Sequence, residues 1–255
     1  MSRVICFANQ KGGVGKTTTC VNLCAAIVEK KRKTLLIDAD PQGNATTGMG
    51  VDKHTAPTLY DVLINDTPLR ETVVHTPYGD VVPTNLNLSG ASIQLVDTPD
   101  RELVLRKALE PIRNKYEYIF IDCPPSLGLL TLNAMAACDG IIIPVQCEYY
   151  AMEGLADLIT SLKLTKRRFN PDLFVEGILL TMYDRRLSFT SEVAMEIRRY
   201  FGKSVYNTVI PRNVRISEAP SHGMPVIAYS RMSKGADAYD CLAIEFLRHK
   251  HIYNI

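Results

Sequence analysis

An α/β fold, with one doubly wound, mostly parallel sheet and helices on both faces, is what this sequence predicts. Three observations carry that expectation. Short apolar runs alternate with helical patterns almost to the end of the chain. Several of the runs are unbroken Ile, Val and Leu, as in strands covered on both sides. A glycine-rich stretch also sits between the first apolar run and the first helical pattern, where a strand must turn sharply into a helix. The resulting βαβ rhythm implies right-handed crossovers.

In chain order, strands are expected at 4–8, 34–38, 118–122, 140–145, 174–182 and 205–210. Helices are expected at 18–30, 101–115, 127–137, 152–168 and 191–201. Residues 46–95 break the rhythm with short pieces, prolines and glycines, and read as a surface excursion from a single domain spanning 1–255.

Hydrophobic content of 46% and charged content of 22% are those of an ordinary globular chain. No apolar run approaches the ~20 residues of a membrane span. Only Met1 and Ser2 precede the first strand, so neither a signal peptide nor an N-terminal DNA-binding module is expected. The seven cysteines are scattered through apolar runs, as reduced core thiols of a cytoplasmic protein would be. Cys20 and Cys24 are four apart, yet no second His or Cys pair stands at ligand spacing to make a metal site. The formal charge of +2 hides an asymmetry: residues 163–215 hold eleven Lys/Arg against five Asp/Glu. Such a stretch is either a solvated face or a footprint for a polyanion.

The glycine stretch is Asn9-Gln10-Lys11-Gly12-Gly13-Val14-Gly15-Lys16-Thr17. Its glycines let successive backbone N–H groups converge on one point, where the helix N-terminus adds positive potential. Lys16 is placed to reach the β- and γ-phosphates of a nucleotide, and the Thr17 hydroxyl to coordinate Mg²⁺. Two departures mark this phosphate loop: Gln10 replaces the first glycine of the usual pattern, and a second lysine, Lys11, opens the run. Lys11 is too early to duplicate Lys16, and a cation there would stabilise developing negative charge, within its own subunit or across a dimer. Asp122 ends the run Tyr118-Ile119-Phe120-Ile121, the Walker B arrangement, where a carboxylate holds Mg²⁺ directly or through water. Asp38 and Asp40 end the second strand, and either could order the attacking water. Because ligands of such sheets bind beyond the carboxyl ends of the strands, all these segments are expected to gather there.

Together these motifs resemble the ParA/Soj chromosome and plasmid partitioning ATPases of the deviant-Walker ParA/MinD superfamily. The resemblance covers nearly the whole chain and includes two further blocks, Pro144-Val145-Gln146-Cys147-Glu148-Tyr149-Tyr150 and Pro211-Arg212-Asn213-Val214-Arg215-Ile216-Ser217-Glu218-Ala219-Pro220. It implies a cytoplasmic, nucleoid-associated ATPase with ATP and Mg²⁺ as cofactors. Lys11, Gly12, Gly13, Val14, Gly15, Lys16, Thr17 and Thr18 would bind the phosphates, with Pro211 and Asn213 at the adenine. Lys11, Lys16 and Asp40 would be catalytic, Lys11 reaching across an ATP-sandwiched homodimer. Thr17 and Asp122 would hold the metal. Arg186 and Arg215 match positions that bind double-stranded DNA without sequence preference, and the additional Arg185 could share that role. A ParB-type centromere-binding protein would stimulate hydrolysis and release. The alternatives are a MinD-like membrane-associated ATPase and a metabolic or iron–sulfur relative. The former needs a free amphipathic C-terminal helix, whereas Tyr239, Leu242, Ala243 and Phe246 form a stripe of the kind that packs onto a domain and the tail 249–252 offers little apolar surface. No stable membrane association is expected.

Overall fold

Alternate residues of the first strand serve opposite faces of the sheet. Val4 and Cys6 join one hydrophobic core while Ile5 and Phe7 join the other. Ile119 and Ile121 divide from Phe120 in the same way. Burial on both sides is why these strands read as unbroken apolar runs.

The computed structural model describes residues 2–248. Its strands are β1 (Arg3–Phe7), β2 (Thr34–Asp38), β3 (Val74–Thr76), β4 (Gly79–Val82), β5 (Tyr118–Asp122), β6 (Gly140–Gln146) and β7 (Phe174–Thr181). They form one sheet in the order β3-β4-β2-β5-β1-β6-β7, parallel throughout except for the β3–β4 hairpin. The helices are α1 (Lys16–Glu29), α2 (Asn44–Gly48), α3 (Leu59–Ile64), α4 (Ala91–Gln94), α5 (Val104–Arg113), α6 (Leu129–Ala137), α7 (Ala151–Arg168), α8 (Ser188–Phe201), α9 (Val214–Glu218), α10 (Val226–Tyr229) and α11 (Lys234–Arg248). Side chains of α5, α6, α7 and α8 enter the first core. Those of α1 and α11 enter the second, where Phe7, Phe120 and Phe246 meet edge to face at 5.6 and 5.8 Å. The doubly wound α/β expectation therefore holds. Among the described residues, no helix is long and apolar enough to cross a membrane.

Two expectations are corrected. The stretch 46–95 is not merely an excursion, because it supplies β3 and β4, and β4 pairs in parallel with β2. Conversely, 205–210 is not a sheet strand: a single isolated bridge, Val205 to Ile178, pairs it with β7. The amides of Tyr206 and Ile210 do donate to the carbonyls of Ile178 and Leu180, each at 2.9 Å. Between them, however, the amides of Asn207 and Thr208 turn to the Glu245 carboxylate of α11, at 2.7 and 2.8 Å, and the chain leaves the ladder.

Candidate functional site

The loop after β1 can follow its path only because Gly13 and Gly15 take left-handed backbone angles, φ 74° and 88°. Gly15 is the residue from which α1 begins, so the amides of the first turn of α1 point into the loop. Two side chains hold the loop to the sheet. Asn9 donates to the Pro144 carbonyl on β6 at 2.8 Å and accepts the Lys11 amide at 3.0 Å. On the other side, the Thr181 hydroxyl of β7 donates to the Val14 carbonyl at 2.8 Å.

The two lysines are placed differently. Lys16 is buried, and its Nζ donates to the Lys11 carbonyl at 3.1 Å. Burial pulls its pKa down, and Asp122, Cys123 and Asp40 oppose that pull. Lys11 is exposed on the rim, its ammonium paired with Glu148.

Register between β2 and β5 sets Asp38 directly opposite Asp122. Both are fully buried. Asp38 is spent on structure, accepting the Asp40 amide at 3.2 Å and both the amide and hydroxyl of Thr46 at 2.7 Å. Burial lifts its pKa to about 6 against those hydrogen bonds. Asp40 gives one oxygen to the Gln42 amide at 3.0 Å, and the other makes no hydrogen bond among the described residues. Asp122 has no hydrogen-bond partner on either oxygen among the described residues. Burial, then the Asp38 charge, raise its pKa well above the carboxylate range; Thr17 lies near enough to pull it down, though not in hydrogen-bonding geometry, and Lys16 acts the same way. An orphaned buried carboxylate beside a hydroxyl at a helix N-terminus is a fitting donor set for a hard divalent cation.

Around this centre the other expected residues divide. Thr18 is half-buried on the first turn of α1 and lines, with Thr17, Asn22, Thr47 and Pro220, a cavity of about 250 Å³. Pro211 bridges to Tyr183, which sets the 211–215 segment beside the loop carrying Arg185 and Arg186. Asn213 caps α9, accepting the Arg215 amide at 2.9 Å. Arg215 pairs with Glu218 at 2.7 Å and Arg186 with Asp184 at 2.7 Å. Arg185 has no ion-pair partner among the described residues. The stripe Tyr239, Leu242, Ala243 and Phe246 is buried against the second core, and residues 249–252 lie outside the described residues. Sequence reasoning assigned no role to Thr46, Thr181 or Glu148. Only Glu148 stood within a quoted motif, and no periodicity marks the other two.

Sheet order, glycine loop and paired strand-end carboxylates define a P-loop nucleoside-triphosphatase fold. The chain matches the family model described as an AAA domain over residues 2–175. The chromosome partitioning protein ParA of Myxococcus xanthus is 51% identical over 97% of this chain and 89% of its own length. The sporulation initiation inhibitor protein Soj of Bacillus subtilis is 50% identical over 96% of this chain and 98% of its own. A solved structure of cobyrinic acid a,c-diamide synthase from Mycobacterium smegmatis, with bound ADP and magnesium, superimposes with a TM-score of 0.86. That protein is 36% identical, covering 98% of this chain and 95% of its own. The chain belongs to the ParA/Soj family of chromosome-partitioning ATPases.

Proposed function

We propose that the chain is a DNA-segregation ATPase that closes into a homodimer around ATP, binds DNA without sequence preference in that state, and lets go on hydrolysis. The observation that carries this reading is the division of labour between the lysines: Lys16 fills the loop, while the Lys11 ammonium stands outside it on an exposed rim. A cation in that position serves a phosphate that its own loop does not hold.

The backbone amides of residues 12–17 and Lys16 bind the nucleotide phosphates, with Thr18 flanking them and Pro211 and Asn213 at the base. Thr17 and Asp122 would hold Mg²⁺, Asp122 directly or through water, and the cation would neutralise phosphate charge. Among the described residues no cluster of three or more His, Cys, Asp or Glu forms a metal site, so the other ligands would be phosphate and water oxygens. Asp40 orders the attacking water, since the oxygens of Asp38 are already engaged by Thr46 and Asp40. Lys11 of each subunit steadies the transferring phosphoryl group of the other. Arg185, Arg186 and Arg215 neutralise DNA phosphates, and dimerisation joins two such sets into one larger footprint on the nucleoid. A ParB-type partner accelerates an intrinsically slow turnover.

Retention of the protein on nonspecific duplex DNA at low salt, with ATP, ADP or no nucleotide, tests the reading. Retention is expected with ATP alone, falling with added salt and in Arg215→Glu, while Lys11→Ala weakens both turnover and retention. Equal, weak retention in all three states counts against it and favours the membrane-associated alternative, for which liposome binding is the assay.

A further inference from the structure

We propose that Glu148 is a latch on Lys11: in the free chain it holds the ammonium group destined for a second copy, and so sets how readily ATP closes the dimer. This rests on the trans-acting role of Lys11 proposed above and names its regulation.

The backbone of Lys11 is clamped and its side chain is not. Its amide is tied through the Asn9 side chain to the Pro144 carbonyl, and its carbonyl receives Lys16 Nζ. Pro144 lies on β6, the same strand whose exit carries Glu148. There the Glu148 amide donates to the Gln146 carbonyl and the Glu148 carbonyl accepts the Ala151 amide, both at 2.9 Å. Two fixed stems thus aim one flexible side chain each at the other, and the Lys11–Glu148 ion pair closes between them.

Neither side chain belongs to a core; they are 46% and 44% exposed. Glu148 makes no other ion pair among the described residues. A carboxylate beside a phosphate-binding loop repels the ligand and needs a reason to be there. Holding the mobile cation supplies one, because the exchange of one carboxylate for the denser negative charge of a triphosphate on another subunit favours the phosphate. The surroundings fit a second copy as the visitor. Tyr149 and Tyr150 follow directly, 76% and 67% exposed, with rings edge to face at 5.0 Å. Exposed tyrosines beside a polar exchange point are the residue type found at interface centres.

The expected size follows from exposure and symmetry. A half-exposed ion pair is worth about a 2- to 5-fold bias. A two-fold dimer opens two of them, so removing the latch strengthens association about 4- to 25-fold. Analytical ultracentrifugation of the full chain against a non-hydrolysed ATP analogue reads this directly. Glu148→Gln is expected to strengthen dimerisation by that factor, the gain shrinking as added salt screens the pair in the unaltered protein. Glu148→Asp, which keeps the charge and withdraws it from Lys11, moves in the same direction. In a Lys11→Ala background the gain from Glu148→Gln should shrink to the part that comes from relieving the carboxylate's own repulsion of the nucleotide, well below the gain in the unaltered chain. If Glu148→Gln dimerises no better than the unaltered chain while Lys11→Ala is impaired, the latch alone is overturned. If Lys11→Ala itself dimerises and turns over normally, the trans-acting role falls and the latch with it.

Discussion

Asp122 faces Asp38 across neighbouring strands, and the two buried carboxylates share a space that holds a single lysine. Folding gains nothing from an unpartnered carboxylate there; binding a cation does. Asp122→Asn is therefore expected to stabilise the nucleotide-free protein by about 1–2 kcal/mol while abolishing the extra stabilisation given by Mg²⁺ and ATP. Thermal melting with and without Mg²⁺–ATP measures both changes. Glu176 presents the opposite end of the sheet with a related problem. It is 1% exposed at the start of β7, paired with Arg3. Burial pushes its pKa up to about 7 from 4.5, with Arg3 opposing. The folded chain thus holds the proton more tightly than the unfolded chain, so this contribution is complete below 4.5 and lost as pH rises through 7. Urea titrations should show stability falling across that window by up to roughly 3 kcal/mol, with Glu176→Gln flattening the fall.

At the scale of elements, α2 is too short to persist alone and is held by one buried threonine. The Thr46 hydroxyl donates to Asp38 and accepts the Thr84 amide at 3.0 Å, joining the end of β2 to the exit of β4. Thr46→Val keeps the shape but leaves the Thr84 amide unpaired and Asp38 one donor short. It should cost about 2–3 kcal/mol in chemical denaturation, and Thr46→Ser much less. The same network shows what the sequence could and could not reveal. Strands β1, β2, β5, β6 and β7 were legible because both faces are buried and the apolar runs are continuous. The hairpin β3–β4 was not, because it is an edge of three and four residues with exposed His75 and too little length to show a period. The run at 205–210 has strand-like spacing, but Glu245, far along the chain, takes two of its amides. In the site, Lys16, Asp40 and Asp122 were visible through local motifs. Thr181 and Glu148 act through contacts 167 and 137 residues away in sequence, and nothing local announces those partners.

For the whole molecule, the proposed DNA-binding role raises the question of which of Arg185, Arg186 and Arg215 would carry it. Arg186 donates to both oxygens of Asp184, at 2.9 and 2.7 Å, and holds that carboxyl down to about 2. Arg215 is tied to Glu218. Arg185 carries no such partner among the described residues and gives up nothing when it meets a phosphate. Arg185→Ala is therefore expected to weaken DNA binding of the ATP-bound dimer more than Arg186→Ala does. Asp184→Asn should strengthen it by freeing Arg186. Each arginine used is used twice per dimer, so its loss lowers the slope of log affinity against log salt by about 2. Fluorescence anisotropy on a labelled nonspecific duplex, from about 50 to 200 mM salt, gives the slope for each variant. A larger slope change for Arg186→Ala than for Arg185→Ala would mean that the Asp184 pair opens on DNA, and the contact would then belong to the arginine that pays the greater local cost. The ordering expected from the free chain, Arg185 ahead of Arg186, follows because a surface cation already neutralised by a fixed carboxylate releases fewer counterions when a phosphate replaces it.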